Sequence, residues 1–380
     1  MNEGYKYMKN KLFIIIIISF FFICCDTEPN GNNEFSGNIR NANVYLLGTN
    51  AYWKNEIRYS LNIPTGYDEI TPEKIIVSNG IVFVIGTFYV DAENGGRYTQ
   101  ACYWENGVFN AFSTNNDIIV NPDNVFVSNG IIYASSFKGY WWIGKNQNKI
   151  PSEKSSVYDL FVYNNTVYMS GYNYDNNWTA CYWLNNNQFN LPIQGNYYSP
   201  RATGIFVDGG NVYSCGDRGE SGKIFYWING TMFNINTPSV NRYETNTIFV
   251  SSGKIFIFGS FSHATEGGIV TPCYWEDGIL KLLPTGTNMA VKPLVYNGKV
   301  YTYDNEWLGR ANYFINGESF PIDQSLDYTM ANSIFIFNDD VFITGGYYNN
   351  DFQYKSCYWI NGTNRIDLNF SIIDIFIEQK

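Results

Sequence analysis

Residues 101–112 read ACYWENGVFNAF, in which two short aromatic-containing runs flank Asn106-Gly107. Asn-Gly is the strongest short hairpin signal, because a type I′ turn needs positive φ at both central residues. The same construction lies upstream, where residues 75–78 and 81–86 flank Asn79-Gly80. These stretches predict two hairpins in series, with strands over 75–78, 81–86, 101–105 and 108–112. Equivalent first turns are predicted at Asn129-Gly130, Asn164-Asn165, Gly209-Gly210, Ser252-Gly253, Asn297-Gly298 and Asp339-Asp340.

The aromatic pair before the second turn recurs along the chain and marks a repeat. Trp53 and Trp359 lie 306 residues apart, which over seven intervals is about 44 residues per copy. This is the length of a four-stranded β-propeller blade and exceeds the period of helical repeats. The eight markers are Tyr52-Trp53, Tyr103-Trp104, Trp141-Trp142, Tyr182-Trp183, Tyr226-Trp227, Tyr274-Trp275, Tyr313-Phe314 and Tyr358-Trp359.

The two ends of the repeat region complement each other. Residues 43–48 match the second strand of a later copy, 166–171, so the first copy lacks its first strand. Residues 374–378 match a first strand, 159–163, and no further strand follows them. We therefore expect an all-β propeller of eight four-stranded antiparallel blades, closed by the C-terminal strand joining the N-terminal blade, which removes exposed sheet edges. A seven-bladed ring with a separate N-terminal hairpin is the alternative.

The N-terminus has the features of an export signal. Lysines at 6, 9 and 11 precede an apolar run from Leu12 to Ile23, which is shorter than the roughly 20 residues of a membrane-spanning helix. Residues 1–24 are therefore predicted to be a signal peptide. Residues 25–42 are rich in Asn, Gly and acidic residues and predict a flexible tether to a domain over 43–380.

The end of the apolar run, Phe22-Ile23-Cys24-Cys25, resembles a bacterial lipobox. The resemblance implies that Cys25 is acylated and becomes the first residue of the mature protein, because Cys24 supplies the small residue expected before it. Together with the Tyr-Trp-x-Asn-Gly blades, this makes the chain similar to the β-propeller lipoproteins of spirochaetes and Bacteroidetes. That resemblance implies a lipid-anchored location in the bacterial cell envelope, periplasmic or surface-exposed.

The blades lack the signatures of three better-known propeller families. They have no regular Gly-Gly doublet of kelch repeats, no Gly-His and Trp-Asp pair of WD repeats, and no Ser-x-Asp-x-Gly-x-x-Trp box of sialidases. The activities of those families are therefore not expected here.

Composition excludes several classes of function. The chain has 34 acidic and 24 basic residues, a net charge of −10, which has the wrong sign for binding nucleic acid. His263 is the only histidine, so a zinc or iron site built on two imidazoles is excluded. The acidic loops lack the Asp-x-Asp-x-Asp-Gly calcium pattern. We therefore expect no nucleic-acid partner, no metal and no cofactor.

The repeated aromatic and cysteine residues are interpreted as packing residues. A large aromatic side chain at one strand position in every copy is what packs one twisted sheet on the next. Cysteines occupy one equivalent position in four copies, Cys102, Cys181, Cys273 and Cys357. Equivalent positions around a ring lie too far apart for a disulfide, so we expect buried free thiols.

Ligand candidates come from the variable segments. Because strand direction alternates, the tight turns of each blade leave one face of the ring and the longer connections leave the other, the long-loop face. Aromatic and arginine side chains in those connections suit the stacking and hydrogen bonding of a sugar, and equally a protein interface. The candidates are Arg97, Tyr174, Trp178, Trp307, Arg310, Tyr347 and Tyr348.

The sequence thus predicts a noncatalytic binding protein for a glycan or an envelope protein. Two alternatives remain open. One is a propeller glycosidase or lyase, which would need carboxylates that converge in one pocket; the other is a structural subunit of an envelope complex, which would show a broad apolar patch. The carboxylate candidates are Glu93, Asp175, Glu266, Asp304 and Glu306.

Overall fold

The computed structural model is a β-propeller built from strands and turns. It describes residues 39, 41–65, 67–91, 97–113, 120–175, 177–193, 199–217, 223–237, 241–263, 270–283, 293–304 and 309–380. Within these ranges the protein contains no helix. The described residues therefore include no helix that is long and apolar enough to cross a membrane. The predicted signal segment and Cys25 lie outside the described residues.

Eight four-stranded antiparallel sheets form the blades, as the sequence predicts. In chain order the strands of blade 1 are β1 Ala42–Leu47, β2 Ala51–Lys54 and β3 Ile57–Ser60; of blade 2, β4 Asp68–Ser78, β5 Ile81–Asp91, β6 Arg97–Glu105 and β7 Val108–Ala111; of blade 3, β8 Val120–Ser128, β9 Ile131–Ser136, β10 Tyr140–Ile143 and β11 Asn146–Lys149; of blade 4, β12 Ser155–Tyr163, β13 Thr166–Asn173, β14 Thr179–Leu184 and β15 Asn187–Asn190.

The second half of the ring follows the same order. Blade 5 has β16 Arg201–Asp208, β17 Asn211–Asp217, β18 Ile224–Ile228 and β19 Thr231–Asn234; blade 6 has β20 Asn241–Ser251, β21 Lys254–His263, β22 Val270–Glu276 and β23 Ile279–Leu282; blade 7 has β24 Leu294–Tyr296, β25 Lys299–Tyr303, β26 Asn312–Ile315 and β27 Glu318–Pro321; blade 8 has β28 Thr329–Phe337, β29 Asp340–Tyr348, β30 Tyr354–Ile360 and β31 Asn364–Leu368.

The C-terminal strand, β32 Asp374–Gln379, closes the ring. It pairs antiparallel with β1 from Ala42 to Leu47, which gives blade 1 its missing first strand. The first strands of successive blades also contact one another in a complete circle, from β4 through β28 to β32 and back to β4. The eight-bladed closure is confirmed, and the seven-bladed alternative is wrong.

The asparagine of the second turn has a structural role beyond its positive φ. In seven blades its side-chain oxygen, or that of the equivalent aspartate, accepts a hydrogen bond from a backbone N–H near the start of the second strand. Blade 3 has Gly144 at this position. The donor and acceptor pairs are Val44 and Asn55, Val82 and Asn106, Val167 and Asn185, Val212 and Asn229, Ile255 and Asp277, Val300 and Asn316, and Val341 and Asn361, at 2.8–3.3 Å.

A glycine in the second strand faces a β-bulge in the first strand of most blades. In blade 4, Gly171 pairs with Val157, and the register shifts immediately afterwards, between Val157 and Asp159. A Cβ atom on Gly171 would collide with the carbonyl oxygen of Ser156 and approach the indole of Trp183. Glycine is therefore required at this position, because the first strand and the indole ring of Trp183 both approach its backbone closely. The equivalent glycines are Gly86, Gly216, Gly259 and Gly345.

The hydrophobic core is divided into eight clusters, one between each pair of neighbouring blades. Trp183 and Cys181, for example, pack against Tyr133 and Trp141 of blade 3. Six of the marker tryptophans are almost fully buried, and the five described cysteines are buried free thiols whose pKa is raised by burial, to about 12 for Cys215 and Cys273. The packing interpretation of both residue types is confirmed.

Some predicted boundaries differ from the structure. The strands of blade 2 extend beyond residues 75–78, 81–86 and 101–105, because the pairing of β5 with β6 continues past Gly86 as far as Asp91 and Arg97. The turn predicted at Asp339-Asp340 lies one residue earlier, where Asn338 and Asp339 have φ of 50° and 67°. Ile39, inside the predicted tether, packs in the cluster between blades 8 and 1.

Candidate functional site

The long-loop face has a recess where blade 3 is short. Its second and third strands, β9 and β10, have 6 and 4 residues, whereas β5 and β6 of blade 2 have 11 and 9. At about 3.3 Å per residue, β9 ends roughly 17 Å short of the reach of β5. Only residues 137–139 connect β9 to β10. The side of blade 4 is thus uncovered, and a cleft of about 530 Å³ lies between blades 3 and 4.

Aromatic side chains line this cleft. The rings of Tyr172 and Trp178 lie 4.3 Å apart between centroids, and those of Tyr174 and Trp178 lie 5.0 Å apart, both tilted by about 45°. Tyr158 is not part of the lining, but its ring lies 6.0 Å from that of Tyr172 and 5.5 Å from that of Phe137, and so connects the two. Trp178 keeps 39% of its surface exposed. The row therefore presents an open aromatic surface to the cleft.

Backbone hydrogen bonds hold the walls of the cleft. The N–H of Val157 in β12 donates to the carbonyl of Phe137 at 3.0 Å, which ties blade 4 to the short turn of blade 3. The N–H of Tyr174 donates to the carbonyl of Lys154, also at 3.0 Å. The side chain of Asn173 accepts from the N–H of Asp175 at 2.7 Å and bends the chain as it leaves β13. The cleft is consequently a preformed feature of the fold.

Polar and charged side chains complete the lining. Lys138, Lys149 and Lys154 lie around the cleft together with Glu153. Lys149 pairs with Glu153 at 3.2 Å and lies 5.1 Å from the ring of Tyr140, and both contacts favour its charged form and raise its pKa. Ser155 and Ser156 lie buried at the floor. The arrangement offers ring faces, hydroxyl groups and ammonium groups to a ligand.

Two of the seven predicted ligand residues, Tyr174 and Trp178, are brought together in the cleft. Trp307 lies outside the described residues. Arg97 opens β6, and its side chain is not among those described.

The other three predicted residues lie on blades 7 and 8. Arg310 donates to the carbonyl of Leu326 at 2.6 Å and pairs with Asp327. Tyr348 is exposed and contacts Tyr354 edge to face at 5.6 Å. Tyr347 is only 8% exposed and packs in the core between blades 7 and 8, its ring 4.4 Å from the guanidinium of Arg365. Core packing accounts for Tyr347, so we leave it out of the proposed site.

The described carboxylates do not form a catalytic pair in the cleft. Asp175 lies exposed beside Tyr174 and accepts a hydrogen bond from Ser152 at 3.2 Å. Asp304 is buried three blades away and accepts from the backbone N–H and the side-chain amide of Asn312. Glu93, Glu266 and Glu306 lie outside the described residues, as does the side chain of His263. No cluster of three metal-ligating side chains occurs in the described part of the chain.

Sequence reasoning missed the residues that blade 3 contributes, Phe137, Lys138, Tyr140 and Lys149. Phe137 and Lys138 occupy a connection too short to stand out as a variable loop. A partial signal was nevertheless present: the markers Trp104 and Trp142 are 38 residues apart, below the mean of about 44, and the same signal also marks blade 7, where Trp275 and Phe314 are 39 apart. A short interval in a closed ring indicates a low blade, and a low blade between taller neighbours leaves a recess.

Fold and cleft together define an eight-bladed β-propeller with a recessed aromatic site. No protein-family model and no curated protein matches the chain. Among solved structures it resembles the computationally designed protein Ika8, at 14% identity and a TM-score of 0.46 over 86% of this chain and 94% of that one. It also resembles a puromycin-hydrolysing peptidase of Mycobacterium tuberculosis, at 9% identity and a TM-score of 0.45 over 80% of this chain and 53% of that one.

A third similar structure is the β-propeller domain of the Trilobed protease from Pyrococcus furiosus, at 12% identity and a TM-score of 0.39 over 78% of this chain and 94% of that one. The chain spans about half the length of the M. tuberculosis peptidase. At these identities the likeness concerns the fold and transfers no activity.

Proposed function

We propose that the chain is a noncatalytic, exported lipoprotein of a bacterial cell envelope whose cleft between blades 3 and 4 binds a glycan. The observation that carries the proposal is the partly exposed row of Tyr172, Trp178 and Tyr174 inside a concave site. Aromatic faces stack on the C–H surfaces of sugars, and the serine and lysine groups around the row suit the sugar hydroxyls.

The shape of the site favours a saccharide over a protein surface. A volume of about 530 Å³ lies within the range of roughly 300–1,000 Å³ typical of small-ligand sites. Protein interfaces are larger and flatter, with about 800 Å² buried on each partner. Glu153 is the one carboxylate that lines the described cleft, and it is paired with Lys149. Glycoside hydrolysis normally requires two carboxylates, so this lining favours binding over turnover.

The test is a glycan and polysaccharide array probed with the full chain in detergent. Trp178→Ala removes the central ring of the aromatic row and is expected to abolish the specific signals. Phe233→Ala is the matched control, because Phe233 on β19 is also 39% exposed but lies on the outer strand of blade 5. Equal binding by all three proteins, or no binding by the folded parent chain, would refute the proposal.

A protein partner is the second candidate, and an aromatic group on blade 8 favours it. Phe352 is 79% exposed at the tip of the β29–β30 connection, which Asn349 holds through hydrogen bonds to residues 351 and 353. Tyr328, Tyr348 and Tyr354 are exposed on the same blade. If the chain is a structural subunit, we expect a photo-cross-linking residue at position 352 to give a single discrete adduct in cells. The same residue at position 233 is the control and should give no adduct.

A further inference from the structure

The cleft carries positive charge in an acidic protein. Its lining contains three lysines and one glutamate, a local excess of two positive charges, whereas the whole chain has a net charge of −10. Asp175 stands at the rim, where Ser152 donates a hydrogen bond to it. Clefts lined by one sign of charge raise the local concentration of ligands of the opposite sign. A lining of this charge would favour anionic over neutral ligands.

The lysines flank the aromatic row from two sides. Lys138 follows Phe137 on the blade 3 wall, and Lys154 precedes Ser155 on the segment leading into blade 4. A sugar stacked on Trp178 would thus lie between two walls that each carry an ammonium group.

Ser155 adds an unsatisfied donor at the floor of the cleft. Its side chain is 5% exposed, and its hydroxyl has no hydrogen-bond partner among the described residues. A buried hydroxyl without a partner is uncommon, because leaving it unpaired costs free energy. The hydroxyl oxygen is itself inaccessible to solvent, so a ligand oxygen would reach it only after a local shift of the floor.

We infer that the cleft binds an acidic saccharide, whose carboxylate or sulfate group lies against Lys138 and Lys154 while its ring stacks on Trp178. This inference rests on the proposed glycan-binding function and specifies its ligand class. Lys154 and Lys138 contribute charge-assisted hydrogen bonds, which are about twice as strong as neutral ones. An anionic sugar is therefore preferred over its neutral form.

The test compares matched saccharides by isothermal titration calorimetry with the full chain in detergent. The probes are an oligogalacturonate and its methyl ester, and a sulfated galactan oligosaccharide and its desulfated form. We expect one acidic member to bind at least about tenfold more tightly than its neutral partner, and the preference to fall with added salt. The carboxylate and sulfate pairs distinguish the two sources of charge.

Variants separate this inference from the function on which it rests. Lys138→Gln combined with Lys154→Gln should lower the affinity for the acidic form more than that for the neutral form, and so remove the preference between them. Lys145→Gln, in the tight turn on the opposite face, is the control and should change neither. Equal affinity for acidic and neutral forms, or binding of polyglutamate but of neither acidic sugar, overturns the inference. If the parent chain binds no saccharide, either in these pairs or on the array, the glycan-binding function itself is refuted.

Discussion

At the scale of single residues, the role of the asparagine in the second turn explains why a polar turn recurs in blade after blade. The asparagine adopts positive φ, and its side-chain oxygen also accepts a hydrogen bond from an N–H near the start of the second strand, as Asn106 does from Val82 at 3.0 Å. One residue thereby joins the two hairpins of a blade. In blade 3, Gly144 has the same conformation, with φ of 56°, but no side chain to make this bond.

Gly144→Asn is predicted to stabilise the protein. A Cβ atom at Gly144 meets nothing within 4 Å, and asparagine tolerates this φ in the other blades. The new side chain would accept from the N–H of Ile132, and we expect a gain of about 1 kcal/mol in the free energy of unfolding. Urea denaturation measures it. Gly144→Ala is the control and should destabilise; a gain from alanine, or a loss from asparagine, would contradict the hydrogen-bond explanation.

Asp374 is a second residue with a defined role, because it joins three blades. It lies on β32 in blade 1, accepts from the N–H of Ile75 in blade 2 at 2.9 Å, and accepts from the hydroxyl of Ser333 in blade 8. Burial raises the pKa of this carboxyl above its usual value. The folded state therefore holds its proton more tightly than the unfolded state does.

The pH dependence of stability follows from that direction. Because the pKa of Asp374 is raised in the folded state, its protonated form stabilises the fold fully at pH values below the unfolded-state pKa of about 4. This contribution to the free energy of unfolding is lost as the pH rises through the folded-state pKa. Asp374→Asn removes this contribution and keeps an acceptor for Ile75. We expect the melting temperature of Asp374→Asn, relative to the parent, to increase as the pH is raised from 4 to 7. A difference that stays constant or decreases would show that the carboxyl does not titrate in this way.

At the scale of elements, the length of blade 3 determines the cleft. Its three-residue connection, 137–139, leaves the side of blade 4 uncovered and places Phe137 and Lys138 at the wall. The core of the blade is unaffected, because Trp142 remains buried against blade 2. Site and scaffold are thus controlled by different parts of the same blade.

Lengthening this connection should remove binding without unfolding the ring. Six Gly and Ser residues inserted between Lys138 and Gly139 would extend into the recess, and we expect at least about a tenfold loss of saccharide affinity with an unchanged melting temperature. The same insertion between Asn350 and Asp351 of blade 8 is the control and should leave affinity intact. Unchanged affinity after the blade 3 insertion would place the ligand elsewhere.

The turns and strands that depend on a local pattern of residues could be predicted from the sequence. Asn106-Gly107 and its equivalents mark the turns, and residues 374–378 mark the closing strand, because both depend on local pattern. The sequence also predicted Tyr174 and Trp178 as ligand residues, but not the cleft that joins them to Phe137 and Lys138. That cleft depends on residues missing from blade 3 and on contacts between blades, and neither leaves a local pattern.

At the scale of the whole molecule, the two faces of the ring differ. The tight-turn face repeats one hydrogen-bonded motif, and the long-loop face carries the recess and the exposed aromatic groups. Residues 1–38 precede the first described residue, Ile39. An acylated Cys25 would attach the propeller to a membrane through a short polar segment, which leaves the long-loop face accessible to large glycans.

Acylation at Cys25 is a direct prediction of the proposed anchor. Cells grown with an alkyne-labelled fatty acid should incorporate the label into the chain, and Cys25→Ala should abolish incorporation. Cys24→Ala should retain it, because alanine is also the small residue required before the acylated cysteine. Labelling that persists in Cys25→Ala and is lost in Cys24→Ala would move the anchor by one residue, and an unlabelled parent chain would contradict the lipoprotein proposal.

A crystal structure of the chain with the oligosaccharide it binds most tightly would show directly where the ligand lies. We predict a sugar ring stacked on Trp178 between blades 3 and 4, with its acidic group towards Lys138 and Lys154. Ligand density on blade 8 or along the outer strands, with the cleft empty, would contradict this prediction.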